Sequence, residues 1–596
     1  MFMKLTAILL LGLAGACAFG GQRPIKIECE TFENLGGWVL DTQFQTSGQT
    51  PYLLAHGLGR PVADAETRFE SKNGGVFNVW VRTKNWVGRW IPSPGAGRFK
   101  LRVNGIMLPI ELGAKGSCEW HWERAGSAKL DSGMNSVALH DVDGFDGRCD
   151  AVAFTMDDSE PLECASADEI SESRDFELVV VGGGISGICA AIAAARSGLR
   201  VALIEGRPVL GGNNSSEVRI GISGKSGLAT YPRIGDVVNE IAPKIWGLAQ
   251  PASIYEDERK RDVVTAETNL SVFVNTHIIA VECRNGRIAA VTGRDSRSGH
   301  LVRFAAPLFV DATGDGTVGF LAGADFRYGR ESRADTGEPK APVSADRTVL
   351  GATVQWYSVA SEDSEFPDIP WALPTLDDAS CRVVERGEWN WETGMERDMI
   401  SEAERIRDYM LLVIYSNWNW LKNRSRSEIR ERFSNRSLEW VGYQLGKRES
   451  RRLEGDVVLS GNDLVSGREF PDGTCAATWP LDLHEPAPTH TEVFKGEPFI
   501  SHSPQGAEIG TRPIPYRCLY SRNIDNLFMA GRCASFTHVA HGSIRVMRTC
   551  GMMGEVVGLA AAVCRRHACG PREVGLRHFE ELRKLLRSGA GAARAR

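Results

Sequence analysis

The stretch that most constrains this chain runs from Leu178 to Glu205, LVVVGGGISGICAAIAAARSGLRVALIE. Leu178 to Val181 read as a buried parallel strand, and Gly182, Gly184 and Gly187 follow at the spacing G-x-G-x-x-G. The first glycine permits a tight turn, the second lets the backbone approach a pyrophosphate, and the third lets the next helix pack close to the strand. Phosphates then rest on the positive end of that helix, where Ile185 and Ser186 begin it. Ile185, Ile188, Ala191, Ile192 and Ala195 recur at helical spacing, Gly198 ends the helix, and Val201 to Ile204 form a second strand. Glu205, followed by Gly206, stands at that strand's end, where a ribose hydroxyl pair needs an acceptor. The competing reading is an α/β crossover whose glycines serve only packing.

At 596 residues the chain is too long for one core, so two or three domains are expected. A net charge of -6 gives no reason to expect nucleic acid, and the basic tail after Arg565 reads as a solvated helix with a frayed end. Lys4 precedes an apolar run, Leu5 to Ala14, too short to span a bilayer and followed by small residues. Residues 1–18 therefore read as an export signal, with periplasmic or extracellular placement, and a lipid-modified Cys17 is a weaker alternative. No other segment is long and apolar enough for a transmembrane span. The 14 cysteines form no C-x-x-C pair, so neither a zinc ribbon nor a dithiol motif is indicated. Cys29, Cys118, Cys149 and Cys164 lie where an oxidising compartment would allow a bridge, with the pairing left open.

Residues 22–157 have a different texture. Phe77, Val79 and Val81 alternate with polar or aromatic neighbours, as do Phe99, Leu101 and Val103 before the turn pair Asn104-Gly105. An all-β antiparallel sandwich is predicted. The segments IECETFENLGGW, VFNVWVRT and DAVAFT resemble the carbohydrate-binding-module type of sandwich. That resemblance implies polysaccharide contact, with Trp38, Trp80, Trp86, Trp90, Trp120 and Trp122 as candidates for a stacking platform, although for each tryptophan a core position is the better expectation. Asp141, Asp143, Asp146 and Asp150 cluster without matching a calcium loop and read as a solvated acidic turn, so no metal site is assigned. Residues 158–175 read as a linker.

The rest divides into a nucleotide domain of two parts, 176–329 and 502–570, interrupted by an α+β substrate cap, 330–501, and followed by a C-terminal helix and tail, 571–596. After the crossover, Gly211, Gly212, Asn213, Asn214 and Ser215 offer backbone and amide groups to a flat ring, in the position of the flavin-side loop of flavoproteins. A second G-x-G-x-x-G at Gly314, Gly316 and Gly319 lacks a complete crossover, so a nicotinamide site is rejected. Its Ala312-Thr313-Gly314 resembles the turn at which flavin-binding domains return to the nucleotide. Eight tryptophans of the cap and the six of the sandwich account for fourteen of the fifteen, suggesting two aromatic surfaces. The mixed run Gly446 to Arg452 is read as an ion-paired hinge, with cation delivery to substrate or cofactor as the alternative. A return strand ending in Gly531-Arg532 leads through His538, His541, Gly542 and Ser543 into a long helix, Ile544 to Cys564, whose start would face the pyrimidine edge of a flavin.

VVVGGGISG, GGNNSSEVR, DATGDG, GKRESRR, IPYRCLYSRNIDNLFMAGR and THVAHGSIRVMRTCGMMG together resemble the FAD-dependent oxidoreductase family found in secreted polysaccharide-utilisation systems. The resemblance implies a Rossmann-like, glutathione-reductase-type FAD domain with a substrate cap, and FAD as cofactor. The resulting expectation is an exported multidomain flavoenzyme that oxidises a hydroxyl of a carbohydrate or glycan fragment by hydride transfer to FAD. His538 or His541 would take the proton, and Arg219, Arg545 or Arg548 would orient substrate. The rival readings are a lyase or reductase on the same scaffold, and a glycan-binding protein with a structural flavin domain.

Overall fold

The computed structural model describes residues 24–45, 50–161, 170–227, 230–504 and 506–591. The stretch read as an export signal, residues 1–18, lies outside the described residues, as does Cys164.

At the centre is a parallel sheet in the order Leu270–Phe273, Val201–Ile204, Leu178–Val181, Leu308–Asp311, Leu527–Met529. Its three central strands are buried along their whole length, which is why each reads as a continuous apolar run without alternation. The helix Ile185–Arg196 covers one face and packs on Met547–His567. Two glycines set that contact: a Cβ at Gly554 would strike the Ser186 carbonyl, and one at Gly558 the Ala190 carbonyl. Met547–His567 is the one described helix long and apolar enough to cross a membrane, and it is a core helix, buried along nearly its whole length.

A second sheet, Thr276–Arg284, Arg287–Asp295, Leu301–Ala305 and Ile170–Asp175, flanks the first. Its last strand falls within the stretch expected as linker. All six of its residues are exposed on a sheet edge, so no burial pattern marked it as structured.

The N-terminal region is a sandwich of antiparallel sheets around its own core. Ala65–Ser71 alternates strictly between buried and exposed residues, and Phe99–Val103 turns back to Ile106–Met107 through Asn104 and Gly105, both at positive φ. The Sγ atoms of Cys29 and Cys149 approach to 3.2 Å as buried free thiols. The acidic cluster is not a solvated turn, because Asp141, Asp146 and Asp150 are buried. Asp141 accepts from the amides of Val62 and Gly144, Asp146 faces His56 at 2.6 Å, and Asp150 pairs with Arg82 at 2.7 Å. These carboxylates brace loops of the sandwich.

The cap is built on the helix Ala403–Asn419 and short strands around Trp356–Ala360. Its core is continuous with Trp86, Val87, Ala96 and Phe145 of the sandwich, so the two modules share one apolar interior. Trp38, Trp86 and Trp122 are buried, and Trp90 donates to Glu497 across the junction, so among the described residues the sandwich surface is left with the half-buried Trp80, Trp90 and Trp120. Trp356, Trp371, Trp391, Trp418 and Trp420 of the cap are likewise core residues. The expected pair of aromatic surfaces is thus largely a pair of interiors, because indoles bury more area than a small sheet module can otherwise cover. Within 330–501, Leu453, Leu459, Leu464 and Leu481 pack into the nucleotide-domain core rather than the cap, and Gly473–Ala477 pairs with Arg512–Pro515.

Candidate active site

The carboxyl ends of the parallel strands open into a cavity of about 290 Å³. Gly182, Gly184, Ile185 and Ser186 come to its wall from the first turn, and Glu205 and Gly206 from the second strand. Gly212 and Asn213 come from the following loop, Ala312, Thr313 and Gly314 from the fourth strand, and Gly531, Arg532 and Arg545 from the last part of the chain. The first turn is shaped by two requirements. Gly182 has φ +102, and a Cβ there would run into the Ala312 carbonyl. At Gly184 a Cβ would meet nothing closer than Gly212 Cα at 3.8 Å, leaving an open backbone cradle. Glu205 braces the turn by accepting from Gly183 N at 2.6 Å and from Arg207 N at 3.1 Å. Asp311 does the same for the Asp-Ala-Thr-Gly turn, accepting from Thr313 N at 3.1 Å and Gly319 N at 2.9 Å.

The wall carries buried polar atoms without protein partners among the described residues: Ser186 Oγ, Arg532 Nη1 and Arg545 Nε. A hydroxyl and two guanidinium N–H groups beside an open glycine cradle are donors suited to a pyrophosphate and to ring carbonyls. The residues present therefore fit FAD.

Other expected site residues lie off the wall. Gly187 serves packing, since a Cβ there would collide with the Gly182 carbonyl. Asn214 donates to Ile220 O at 2.8 Å and Ser215 to Gly212 O at 2.8 Å, so both shape the loop. A Cβ at Gly542 would meet Leu483, and Ser543 donates to Trp479 O at 2.5 Å. Arg219 lies 3.9 Å over the Trp440 ring and bonds Ser216 O, while Arg548 bonds Asn239.

His538 and His541 are also elsewhere. His538 Nδ1 is 2.8 Å from Glu449, and His541 Nε2 is 3.0 Å from Arg448 O with its Nδ1 buried and unpartnered. Burial first, and Arg452 after it, push His538 down to about 3 and His541 well below the usual imidazole range. Both are neutral interior groups, not bases on the cavity. The long helix expected from Ile544 to Cys564 begins instead at Met547 and runs to His567, and Ile544 ends a separate short helix, His538–Ile544, with Arg545 and an extended Val546 between the two. The start of the first is occupied by Thr537, which accepts from Ala540 N, and by Glu331, which accepts from His538 N. It is the second helix that brings Met547 and Cys550 to the wall.

Several wall residues carry no motif, Thr42, Gln43 and Phe44 of the sandwich, Arg207, Thr276, His277, Ile278, Gln444 and Leu445, and Asp315, Thr317 and Lys447 stand inside motifs without having been singled out. Lys447 pairs with Asp315 at 2.7 Å, so the run Gly446 to Arg452 both presents a cation to the cavity and locks interior pairs such as Arg452 with Glu331 at 2.9 Å.

Arg545 connects the cavity to a second group of side chains. Its Nη2 lies 2.9 Å from His484 Nε2 and donates to Asp482 Oδ2 at 2.7 Å. His484 Nδ1 is 2.5 Å from Glu392 Oε2, which also accepts from Ser501 Oγ at 2.7 Å, and Arg448 stands 3.4 Å from Glu392 Oε1. Burial alone would raise Glu392, but Arg448 and His484 outweigh it and hold the carboxyl down to about 2. With Glu392 ionised, His484 Nδ1 is the donor of that contact, while Nε2 faces both Arg545 Nη2 and Asp482 Oδ2, the latter at 3.3 Å. Half-buried Trp479 and partly exposed Trp389 border the group, Trp389 with its ring 5.1 Å from that of His484. The only spacing signal for this group is Asp482 and His484 two residues apart, since Glu392 comes from a distant strand.

Fold and cavity together define a dinucleotide-binding α/β flavoprotein with an inserted cap. A model of the family described as FAD dependent oxidoreductase matches residues 177–586. The chain belongs to that family. No curated protein matches the sequence. Among solved structures, the chain is similar to the GH26-CBM35 β-(1,4)-mannanase of Podospora anserina, at 14% identity and TM-score 0.18 over 30% of this chain and 50% of that one. It is similar to a family 35 carbohydrate binding module from Clostridium thermocellum, at 15% identity and TM-score 0.19 over 22% of this chain and 98% of that one. A third likeness is the Mycobacterium smegmatis Sdh1 complex, at 14% identity and TM-score 0.28 over 66% of this chain and 69% of that one. The chain thus spans half the length of the mannanase it matches.

Proposed function

We propose that this protein is an exported enzyme that oxidises a hydroxyl of a carbohydrate or glycan fragment, with His484 as the proton acceptor. FAD, when bound, supplies the acceptor for the hydride. The observation that carries the reading is the Glu392–His484–Arg545 contact at the edge of the cofactor cavity, with His484 Nδ1 2.5 Å from Glu392 and Nε2 2.9 Å from Arg545 Nη2. Glu392 holds the imidazole in the tautomer that accepts at Nε2 and stabilises the cation formed when it does. Asp482 and Arg545 offer an acceptor and a donor for neighbouring hydroxyls, and Trp389 and Trp479 offer apolar faces for a sugar ring. The apolar run Leu5 to Ala14 after Lys4 supports export.

The test is to mix the holoenzyme with a panel of sugars and oligosaccharides without oxygen and follow flavin absorbance. Bleaching by at least one sugar is expected, and bleaching by none would remove the carbohydrate assignment. His484→Ala is expected to slow the bleaching by roughly 10²- to 10⁴-fold while FAD stays bound. An unchanged rate would exclude His484 as the base.

A further inference from the structure

The sandwich strand Val39–Asp41 runs on into Thr42–Gln45, and this segment lies on the cofactor cavity, with Thr42, Gln43 and Phe44 on its wall. Gln43 bridges two backbone groups of the cap side: Nε2 donates to Tyr443 O at 2.8 Å and Oε1 accepts from Leu445 N at 3.0 Å. Gln45 Nε2 donates to Ser296 Oγ at 2.9 Å, Ser296 N donates to Asn275 O at 2.7 Å, and Thr276 N donates to Glu205 O at 2.9 Å. Hydrogen bonds thus tie the segment, through neighbouring residues, to the acid that closes the second strand, which is the ribose side of a dinucleotide site. Behind it, Asp41 pairs with Arg407 at 2.7 Å, with both side chains fully buried. The segment is therefore held from both ends.

Its polar groups are not fully used. Thr42 is 4% exposed, and its Oγ1 is buried without a protein partner among the described residues. A buried hydroxyl left unpaired is unfavourable, and a ligand in the cavity that Thr42 lines is positioned to pair it.

We propose that Thr42–Gln45 belongs to the FAD site, so that the sandwich acts as a latch over the adenosine half of the cofactor. FAD retention then depends on the contacts of this segment, and by linkage bound FAD holds the segment in place to the same degree. This inference rests on FAD as cofactor and is independent of the substrate.

The experiment uses full-length holoprotein and follows FAD release by the rise of free-flavin fluorescence. The variants are Thr42→Val, Gln43→Ala and, as a control, Trp90→Phe, which removes the 2.7 Å bond to Glu497 at the same module junction but off the cavity wall. Release is expected to quicken by about tenfold in Gln43→Ala, which loses three side-chain hydrogen bonds, to Asp41, Tyr443 and Leu445, and by several-fold in Thr42→Val, with Trp90→Phe at the wild-type rate. Hydrogen exchange over residues 39–45 should slow when FAD is added to the apoprotein. Equal release from all four proteins, or exchange over 39–45 that ignores FAD, would overturn the latch. If Gln43→Ala does not fold, Thr42→Val and the exchange measurement decide. A wild-type protein that takes up no FAD would overturn the cofactor assignment together with the latch.

Discussion

The three histidines discussed as bases differ in surroundings, and those surroundings separate their roles. His538 and His541 are buried near the Arg452 guanidinium and stay neutral far below the pH at which an imidazole ordinarily charges. His484, buried to a similar degree, has the Glu392 carboxylate on Nδ1, and its Nε2 faces both the cavity-wall Arg545 and Asp482 Oδ2 at 3.3 Å. Replacing His538 by Ala should therefore act on stability, because it opens a gap in the interior and removes one partner of the buried Glu449 carboxylate, which keeps Arg452 and the Leu350 amide. A loss of about 1–3 kcal/mol in denaturant unfolding is expected, with the flavin-reduction rate of the folded fraction near wild type. A reduction rate that fell as far as in His484→Ala would return His538 to the chemistry. Sequence favoured His538 and His541 because they stand beside a motif, whereas Glu392 and His484 are 92 positions apart and meet only through tertiary folding.

At the scale of elements, the contact of Ile185–Arg196 with Met547–His567 sets the height of the first helix over the parallel sheet, and with it the glycine cradle. Gly554 leaves no room for a methyl group against the Ser186 carbonyl, and Ser186 is itself a wall residue. Gly554→Ala should push the helices apart, costing about 1–3 kcal/mol and lowering FAD occupancy in the purified protein. Full occupancy at unchanged stability would show that the two helices can separate without moving the cradle. The break at Val546 belongs to the same scale. The apolar pattern runs straight through it, and only a backbone turned extended at ψ 140 gives the second helix a start at the cavity. Periodicity reports which residues face the core, not where a helix stops when its end is used by a ligand site.

For the whole molecule, the notable junction is between sandwich and cap. Arg148 of the sandwich bonds Asp408 of the cap at 2.6 and 2.9 Å, and Arg407 of the cap bonds Asp41 of the sandwich, all buried. Arg148→Met takes two hydrogen bonds from the buried Asp408 and leaves it with Arg407, 2.8 Å away, so it should cost up to about 3 kcal/mol. Unfolding in urea would check this, and a loss under 1 kcal/mol would mean the charges are reached by water. The pH dependence has a definite sign. Burial alone would raise Asp408, but Arg148 and Arg407 outweigh it and hold it down to about 2, below its unfolded value near 3.9. Its contribution is present above about pH 4 and is lost as the pH falls toward 2, so the junction should loosen in acid before the rest of the fold. Intrinsic fluorescence of the junction tryptophans against pH would follow this, and a single transition shared with the parallel sheet would contradict it. What the amino-acid order determined alone is local in kind: the strand, turn and helix of the dinucleotide motif, the alternation of the sandwich strands, and the return strand at Gly531 are each written in neighbouring residues. Tertiary structure alone decided that the sandwich helps wall the cavity, that half of its tryptophans are interior, and that Glu392, Asp482, His484 and Arg545 meet. Period and spacing encode how a segment buries itself, whereas a shared core or a buried charge pair depends on which distant surfaces close on each other, and that leaves no periodic trace.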